Sequence, residues 1–558
     1  MAASKKQNFL QGAAVLSLSV AVVKVIGAIY KIPLKGIIGD VGFAYFNTAY
    51  DIYTLLLTIA TAGLPIAMSR MISQAYSLGQ HNRVRQIYKV SRMLFLGLGL
   101  VAALIMGIFC TRLASSFEQP GAWAAILCLA PCAVLMGYLS IYRGFFQGQG
   151  NMNPTAVSQV LEAFCKLVVG LSAAYGLMKL TGKVSWAAGG AILGVTVSCL
   201  ISAFYLYGKF RPAYRELSVS AEEVERFAVT TKKLLAIAIP ITIGSAGMQL
   251  LNVLEIGIYM DRLEELLASG TYAQNLVPEL EEEVRALKDW TPENHFSLMA
   301  SGMKGIYNFG YTIFNMPCAF IIPINTSVLP AITAFLTVGD HKSVRETEES
   351  ASRITGLLAL PCSVGLAVLA GPIMGMLGGY GGEKLALATV MMTVMGGAVC
   401  LYTATMFTTV LLQSHGKAHI PVINTLICGG VKLGLMYVLV GNPNVGILAV
   451  PVCSALCYLS VSALNLLSIR KVVPQKPKLL RNMLRPLLPA ALMGAVVYGV
   501  YWLMVNIAGI TSNMLLCGVP ILVGVVAYFV LVVVCKAITK EDCLLLPKGD
   551  KIAKLLKL

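Results

Sequence analysis

The stretch Arg143–Lys166, RGFFQGQGNMNPTAVSQVLEAFCK, decides how the rest of the chain is read. An apolar helix ends in it, a Gly- and Asn-rich turn follows, and a second apolar helix starts at Pro154. Gly148 and Gly150 suit a helix stop, and Pro154 suits a first helical turn, where its missing N–H would have no partner. Arg143 closes the incoming helix. Glu162 and Lys166 sit i, i+4 about two turns into the outgoing one, in a segment apolar enough to cross a bilayer. Charges at that depth are costly and point to function.

Composition agrees with that reading. The chain has 558 residues, is 57% hydrophobic and 12% charged, and has a mean hydropathy of +0.76. A soluble protein carries about twice that charge fraction. Apolar runs of about 20 residues recur from end to end, which makes this an all-α polytopic membrane protein. A soluble enzyme on one anchor is excluded, because no long polar stretch remains to build a catalytic domain. The fourteen cysteines lie mostly inside apolar runs, as at Cys128, Cys165, Cys400 and Cys428, so no disulfide framework is expected. The five histidines fall in loops. With no nucleophile–base pair and no ligand set, neither an enzyme, a metal site nor a cofactor is expected. Lys5 and Lys6 precede an apolar run that continues past residue 30 without an A-x-A-like site, which reads as a retained first helix.

Fourteen spans fit: 8–34, 43–69, 93–111, 121–142, 155–178, 185–208, 234–260, 298–337, 354–378, 385–412, 418–440, 445–469, 486–508 and 513–535. An even count puts both termini on one side. With the N-terminus cytoplasmic, cytoplasmic segments hold 30 lysines and arginines against 8 in external loops, which favours N-in, C-in. The expected organisation is a six-helix bundle at 1–208, a cytoplasmic linker at 209–233, a second six-helix bundle at 234–469, a basic linker at 470–485, helices 13 and 14 at 486–535, and a tail at 536–558. The external insert at 261–297 holds nine acids against three bases and contains ELEEEVRALKDW, read as a short amphipathic helix over the outer mouth or as a solvated spacer. The terminal KIAKLLKL (551–558) is expected to lie on the anionic inner leaflet.

An internal repeat follows. Gly150 and Lys166 recur as Gly416 and Lys432, both at an offset of 266, and QGQGNMNP (147–154) is echoed by QSHGKAHIP (413–421). Gly63-Leu64-Pro65 is echoed by Val328-Leu329-Pro330 at an offset of 265. A shift of six spans preserves orientation, so the two halves are expected to be parallel repeats, with helices 13 and 14 as an appendage.

Eight ionisable residues fall within spans: Lys24, Lys31, Asp51, Glu162, Lys166, Glu255, Lys304 and Lys432. Each costs about 2.5–3.5 kcal/mol at the bilayer centre on insertion scales. Lys24, Lys166 and Lys432 lie near mid-depth and Lys31, Asp51, Glu255 and Lys304 in the outer third. Lys304 is close enough to a helix end to snorkel outward. Glu162 and Lys166 are spaced as a satisfied i, i+4 pair. Lys24 and Lys432 have no local acid, so a water-filled cavity is the favoured reading. Lysines from helices 1, 5 and 11 would then form a cationic centre suited to an anionic, phosphate-bearing substrate.

RGFFQGQGNMNPTAVSQVLE strongly resembles the helix 4–5 signature of the stage V sporulation protein B family. KVIGAIYKIPLKGIIG (24–39), AYDIYTLLLTIATAGLPIAMSR (49–70) and YNFGYTIFNMPCAFIIPINTSVLPAI (307–332) resemble that family's helices 1, 2 and 8. The resemblance covers nearly the whole chain. The family is grouped with the MurJ-type lipid II flippases and, more distantly, the multidrug and toxin extruders. It implies two six-helix bundles forming a V, a MATE-like fold plus two C-terminal helices, alternating access, and export of an undecaprenyl-pyrophosphate-linked glycan. In the lipid II flippases a cationic cavity holds the head group and two extra helices help form a groove for the lipid tail; helices 13 and 14 match that pair. Two departures matter, one of them the insert at 261–297, which is longer than the resemblance leads one to expect between helices 7 and 8. Those flippases carry an arginine within helix 2, whereas LLLTIATAG (55–63) has none, so bidentate clamping of pyrophosphate does not carry over.

The expected function is therefore a flippase for a lipid II-like precursor or polysaccharide unit in the bacterial cytoplasmic membrane. Lys24, Lys31, Lys166, Lys432 and Arg143 are the expected substrate contacts. Asp51, Glu162, Glu255 and Lys304 are the expected modulators or ion-coupling groups. Membrane lipids and cell-wall synthesis proteins are the expected partners, and nucleic acid is not one. The alternative is a cation-coupled drug or metabolite exporter of the MATE type, which needs a deep acidic cluster that the mid-depth lysines oppose. A non-transporting membrane scaffold leaves lysines on three helices without a role.

Overall fold

The structure, a computed structural model, describes residues 9–61, 63–217, 225–272, 278–474, 476–535 and 537. The basic start of the chain and the KIAKLLKL tail lie outside the described residues. Among the described residues the regular structure is helical throughout. Among the described residues eleven helices are long and apolar enough to cross a membrane, or twelve counting one bent pair. The protein is a multi-pass membrane protein.

The first helix, α1 (Phe9–Thr61), runs 53 residues, about 80 Å at 1.5 Å per residue. That is more than twice a bilayer's hydrocarbon thickness. It breaks at Gly39, whose φ of 66° is accessible to glycine, and the break separates the expected spans 1 and 2. The expected loop at 35–42 is thus helical apart from one residue. Lys35 and Asp40 pair across the kink at 3.7 Å, both buried, which keeps their charges compatible with a packed bend.

Packing divides the chain into two compact units. Residues 1–269 with 281–308 form the first, and 270–280 with 309–558 the second. This partition follows contacts, whereas the division at 208 and 234 follows the internal repeat. In the first unit α3 (His81–Ile108), α5 (Trp123–Gly148), α6 (Asn153–Thr181) and α7 (Val184–Arg215) pack against α1, α2 (Leu64–Ser77) packs on α3 and α5, the short α4 (Cys110–Ser115) on α5, and α8 (Phe227–Ala268) against α1 and α2. α6 and α7 approach closely where Gly194 meets the Gly170 backbone, a contact that a side chain would open. The insert does contain a short helix, α9 (Pro278–Arg285).

The long α10 (His295–Thr337) contributes its first turns to the first unit and the rest to the second. In the second unit follow α11 (His341–Val368), α12 (Ala370–Gly378), α13 (Gly382–Ser414), α14 (His419–Val440), α15 (Ala449–Val472), α16 (Leu479–Leu484), α17 (Leu487–Asn506) and α18 (Asn513–Val534). Buried Asn465 joins three of them: it donates to Thr408 Oγ1 at 3.2 Å on α13 and accepts from Asn424 Nδ2 at 2.9 Å on α14.

The repeat is visible in the backbone. Gly150 and Gly416 both adopt left-handed φ, 78° and 72°. Each donates its N–H to a glutamine carbonyl three residues back, and the next residue donates five residues back, which is a helix-stop geometry. Lys166 and Lys432 each lie thirteen residues after the first residue of their helices. A second echo lies at an offset of 260, six residues short of the one at Gly150 and Gly416. Gly79-Gln80-His81 and Gly339-Asp340-His341 form the same turn, with φ of 70° and 74° at glycine. Phe109 and Leu369 break their helices at the same conformation, φ −102° and −97°.

Candidate functional site

The Arg143–Lys166 stretch builds one wall of a cavity in the first unit. α5 ends at Gly148, and Asn151 Oδ1 accepts the Asn153 N–H at 3.3 Å to start α6. The two helices therefore run back to back. Ser158 and Glu162, i and i+4 on α6, face Arg143 on α5. Arg143 Nε donates to Ser158 Oγ at 3.0 Å and its Nη2 to Glu162 Oε2 at 2.8 Å. Ser202 of α7 fixes this wall by donating to the Ser158 carbonyl at 3.1 Å. The pair is substantially buried, with side-chain exposures of 14% and 25%.

The facing wall comes from α1. Val20, Val23, Lys24, Gly27 and Tyr30 recur at helical spacing and line the same cavity of about 340 Å³, together with Tyr50, Arg143, Gln159, Glu162 and Lys166. Tyr30 anchors it by donating its hydroxyl to the Ala191 carbonyl at 3.1 Å. Lys166 reaches toward this wall. Its Nζ donates to the Tyr50 hydroxyl at 3.4 Å and lies 4.8 Å from the Tyr50 ring centroid and 5.2 Å from that of Tyr30. Ring faces attract a cation without neutralising it.

This arrangement corrects the i, i+4 pairing of Glu162 with Lys166. Glu162 is taken by Arg143, whose planar fork meets a carboxylate and a hydroxyl together, and Lys166 is held by tyrosines. Among the described residues no carboxylate lies within ion-pair distance of Lys166. The cavity thus holds three cations against one carboxylate, and the carboxylate is already engaged. Such a site favours an anion.

The other expected residues lie elsewhere. Lys31 donates to Asn47 Oδ1 at 3.3 Å and lies 5.9 Å from the Phe43 ring, and it does not line the cavity. Lys304 does not snorkel: it is completely buried and donates to Thr48 Oγ1, which donates to Gln119 Oε1 at 2.6 Å. Its depth along α10 is overridden by close packing against α1, where Gly305 abuts the Asp40 carbonyl. Asp51 lies one turn beyond Thr48, and Glu255 is half-buried on α8. Lys432 is half-buried on α14 in the second unit and is not among the lining residues. The tyrosines and Gln159 were missed in the sequence. Only the helical phase of Tyr30 with Lys24 and Gly27 could have marked them.

The fold is shared with two solved transporters. The inward closed conformation of lipid II flippase MurJ superposes with a TM-score of 0.64 at 13% identity, covering 93% of this chain and 98% of that one. An inward-facing multidrug resistance MATE family transporter gives 0.60 at 16% identity, covering 83% and 99%. The class is thus a polytopic membrane protein with the MurJ and MATE transporter fold. The family is defined by sequence. The chain belongs to the polysaccharide biosynthesis protein family, whose model matches residues 9–336, and the lipid II flippase MurJ model matches residues 295–518. Stage V sporulation protein B of Bacillus subtilis (strain 168) is 25% identical over 84% of this chain and 85% of its own length.

Proposed function

We propose that this protein moves an undecaprenyl-pyrophosphate-linked glycan, a lipid II-like precursor or a polysaccharide unit, across the cytoplasmic membrane by alternating access. The observation that carries the reading is the cavity of the first unit, where Lys24 and Lys166 present charge beside an Arg143 already neutralised by Glu162. An anionic pyrophosphate answers that imbalance, and a cationic drug does not. Lys432, the repeat counterpart of Lys166, is assigned to the same substrate from the second half, and Lys31 to its outward path. In this reading both termini are cytoplasmic, residues 1–208 and 234–469 are the two repeats, and helices 13 and 14 at 486–535 accompany the polyprenyl chain in lipid.

The test is binding of purified full-length protein to a panel of undecaprenyl-pyrophosphate glycans, with undecaprenol and a cationic dye as controls. Binding that requires the pyrophosphate and weakens on K24Q supports the reading. Preference for the cationic dye would replace it with the cation-coupled exporter.

A further inference from the structure

Basic side chains also gather at a second opening, in the second unit. α15 ends at Val472, the chain turns, and α16 lies back against α11. Between α15 and α16 is a cavity of about 380 Å³ whose apolar lining includes Leu466, Leu480 and Leu484 and whose charged lining is Arg470, Lys478 and Arg481. Among the described residues none of these three cations has a carboxylate within ion-pair distance. The neighbouring acid is engaged elsewhere: Glu349 Oε1 accepts from the Lys478 backbone N–H at 3.1 Å and from Arg345 Nε at 3.0 Å.

The cavity is held in shape by its surroundings. Leu479 is buried in a core cluster with Val344, Phe407 and Ile469, and Ser352 Oγ donates to its carbonyl at 3.3 Å. The turn leading into α16 holds Lys476 at φ 46°, a conformation that a side chain disfavours and that packing must enforce. Leu480 and Leu484 are nonetheless 45% and 40% exposed, and Leu487 and Leu488 extend the apolar surface onto α17.

Three unneutralised cations beside exposed leucines at the end of a membrane helix match an amphiphile with an anionic head. A small soluble anion would leave the leucines unused. We propose that this cavity holds the phosphodiester head group of an anionic bilayer phospholipid, with its acyl chains along Leu480 and Leu484. The site is separate from the substrate cavity and does not depend on the transport reading.

Native mass spectrometry of the full-length protein in neutral detergent tests this, with phosphatidylglycerol and phosphatidylcholine as probes and inorganic phosphate as competitor. Wild type should retain phosphatidylglycerol over phosphatidylcholine, and phosphate should not displace it. Each of R470Q, K478Q and R481Q should weaken retention about fivefold, and the triple variant about a hundredfold. Equal retention by wild type and variants, equal retention of phosphatidylcholine, or displacement by phosphate would each overturn the proposal. The single variants carry the test should the triple variant fail to fold, and R481K should retain the lipid.

Discussion

Replacing Lys166 with glutamine separates ligand binding from folding. The ammonium is held by one hydroxyl at 3.4 Å and two ring faces at 4.8 and 5.2 Å. Glutamine keeps a donor for Tyr50 and removes the charge. A cation–π contact contributes about 0.5–1 kcal/mol at exposed sites and about 2 when desolvated. Removing a desolvated charge offsets that loss, so stability should change by about 1 kcal/mol or less. Binding responds more strongly. A hydrogen bond to a charged group contributes about 1.5–3 kcal/mol, so K166Q should weaken undecaprenyl pyrophosphate about 10- to 150-fold. K166R should recover most of the affinity. The assay is a binding titration of purified protein in neutral detergent, with unfolding followed in parallel. An affinity within twofold of wild type, with folding intact, would refute a substrate role for Lys166. Loss of the fold would make the lysine structural instead.

Other perturbations probe the supports of the site. A Cβ on Gly170 would stand 2.9 Å from the Tyr30 hydroxyl and 3.1 Å from the Ala191 carbonyl, so G170A should cost about 1–3 kcal/mol and weaken pyrophosphate binding with it. T48V removes the acceptor of the buried Lys304 and should cost about 1.5–3 kcal/mol, much of which the T48V/K304M double variant should restore in an unfolding cycle. N465L leaves Asn424, Thr408 and Thr409 without their shared partner and should cost about 1–3 kcal/mol in the same measurement. Outside the membrane, the hydrogen bond from Lys233 and the charge of Arg83 hold the Glu225 carboxyl below its ordinary range. Its folded value is depressed, so its contribution is present above the usual carboxylate range and fades as pH falls through the lowered value. E225Q should flatten that acid limb in a pH series of unfolding curves.

The helices were legible because bilayer thickness leaves a one-dimensional trace. Each expected span is helical over most of its length, but three cross a break: α1 and α2 divide within 43–69, α3 and α4 at Phe109 within 93–111, and α11 and α12 at Leu369 within 354–378. The Gly150 and Gly416 turns were equally legible, since a left-handed stop demands glycine at a fixed place. What pairs across helices was not. Arg143 lies nineteen residues from Glu162, and nothing local ranks it above Lys166 as that carboxylate's partner. Lys304 misled for a related reason: its distance from a helix end is readable, but its burial depends on α1. The 35–42 segment reads as a loop because three glycines and two charges interrupt the apolar run. The Lys35–Asp40 pair removes that objection to a helix.

The most direct test of an anion-translocating cavity is transfer itself, in vesicles containing only lipid and purified protein. The initial rate at which an undecaprenyl-pyrophosphate-linked glycan reaches the opposite leaflet should exceed that of protein-free vesicles with wild type. With folded K24Q/K166Q it should fall to the protein-free rate. Equal rates for wild type and the double variant would contradict the cationic cavity as the route.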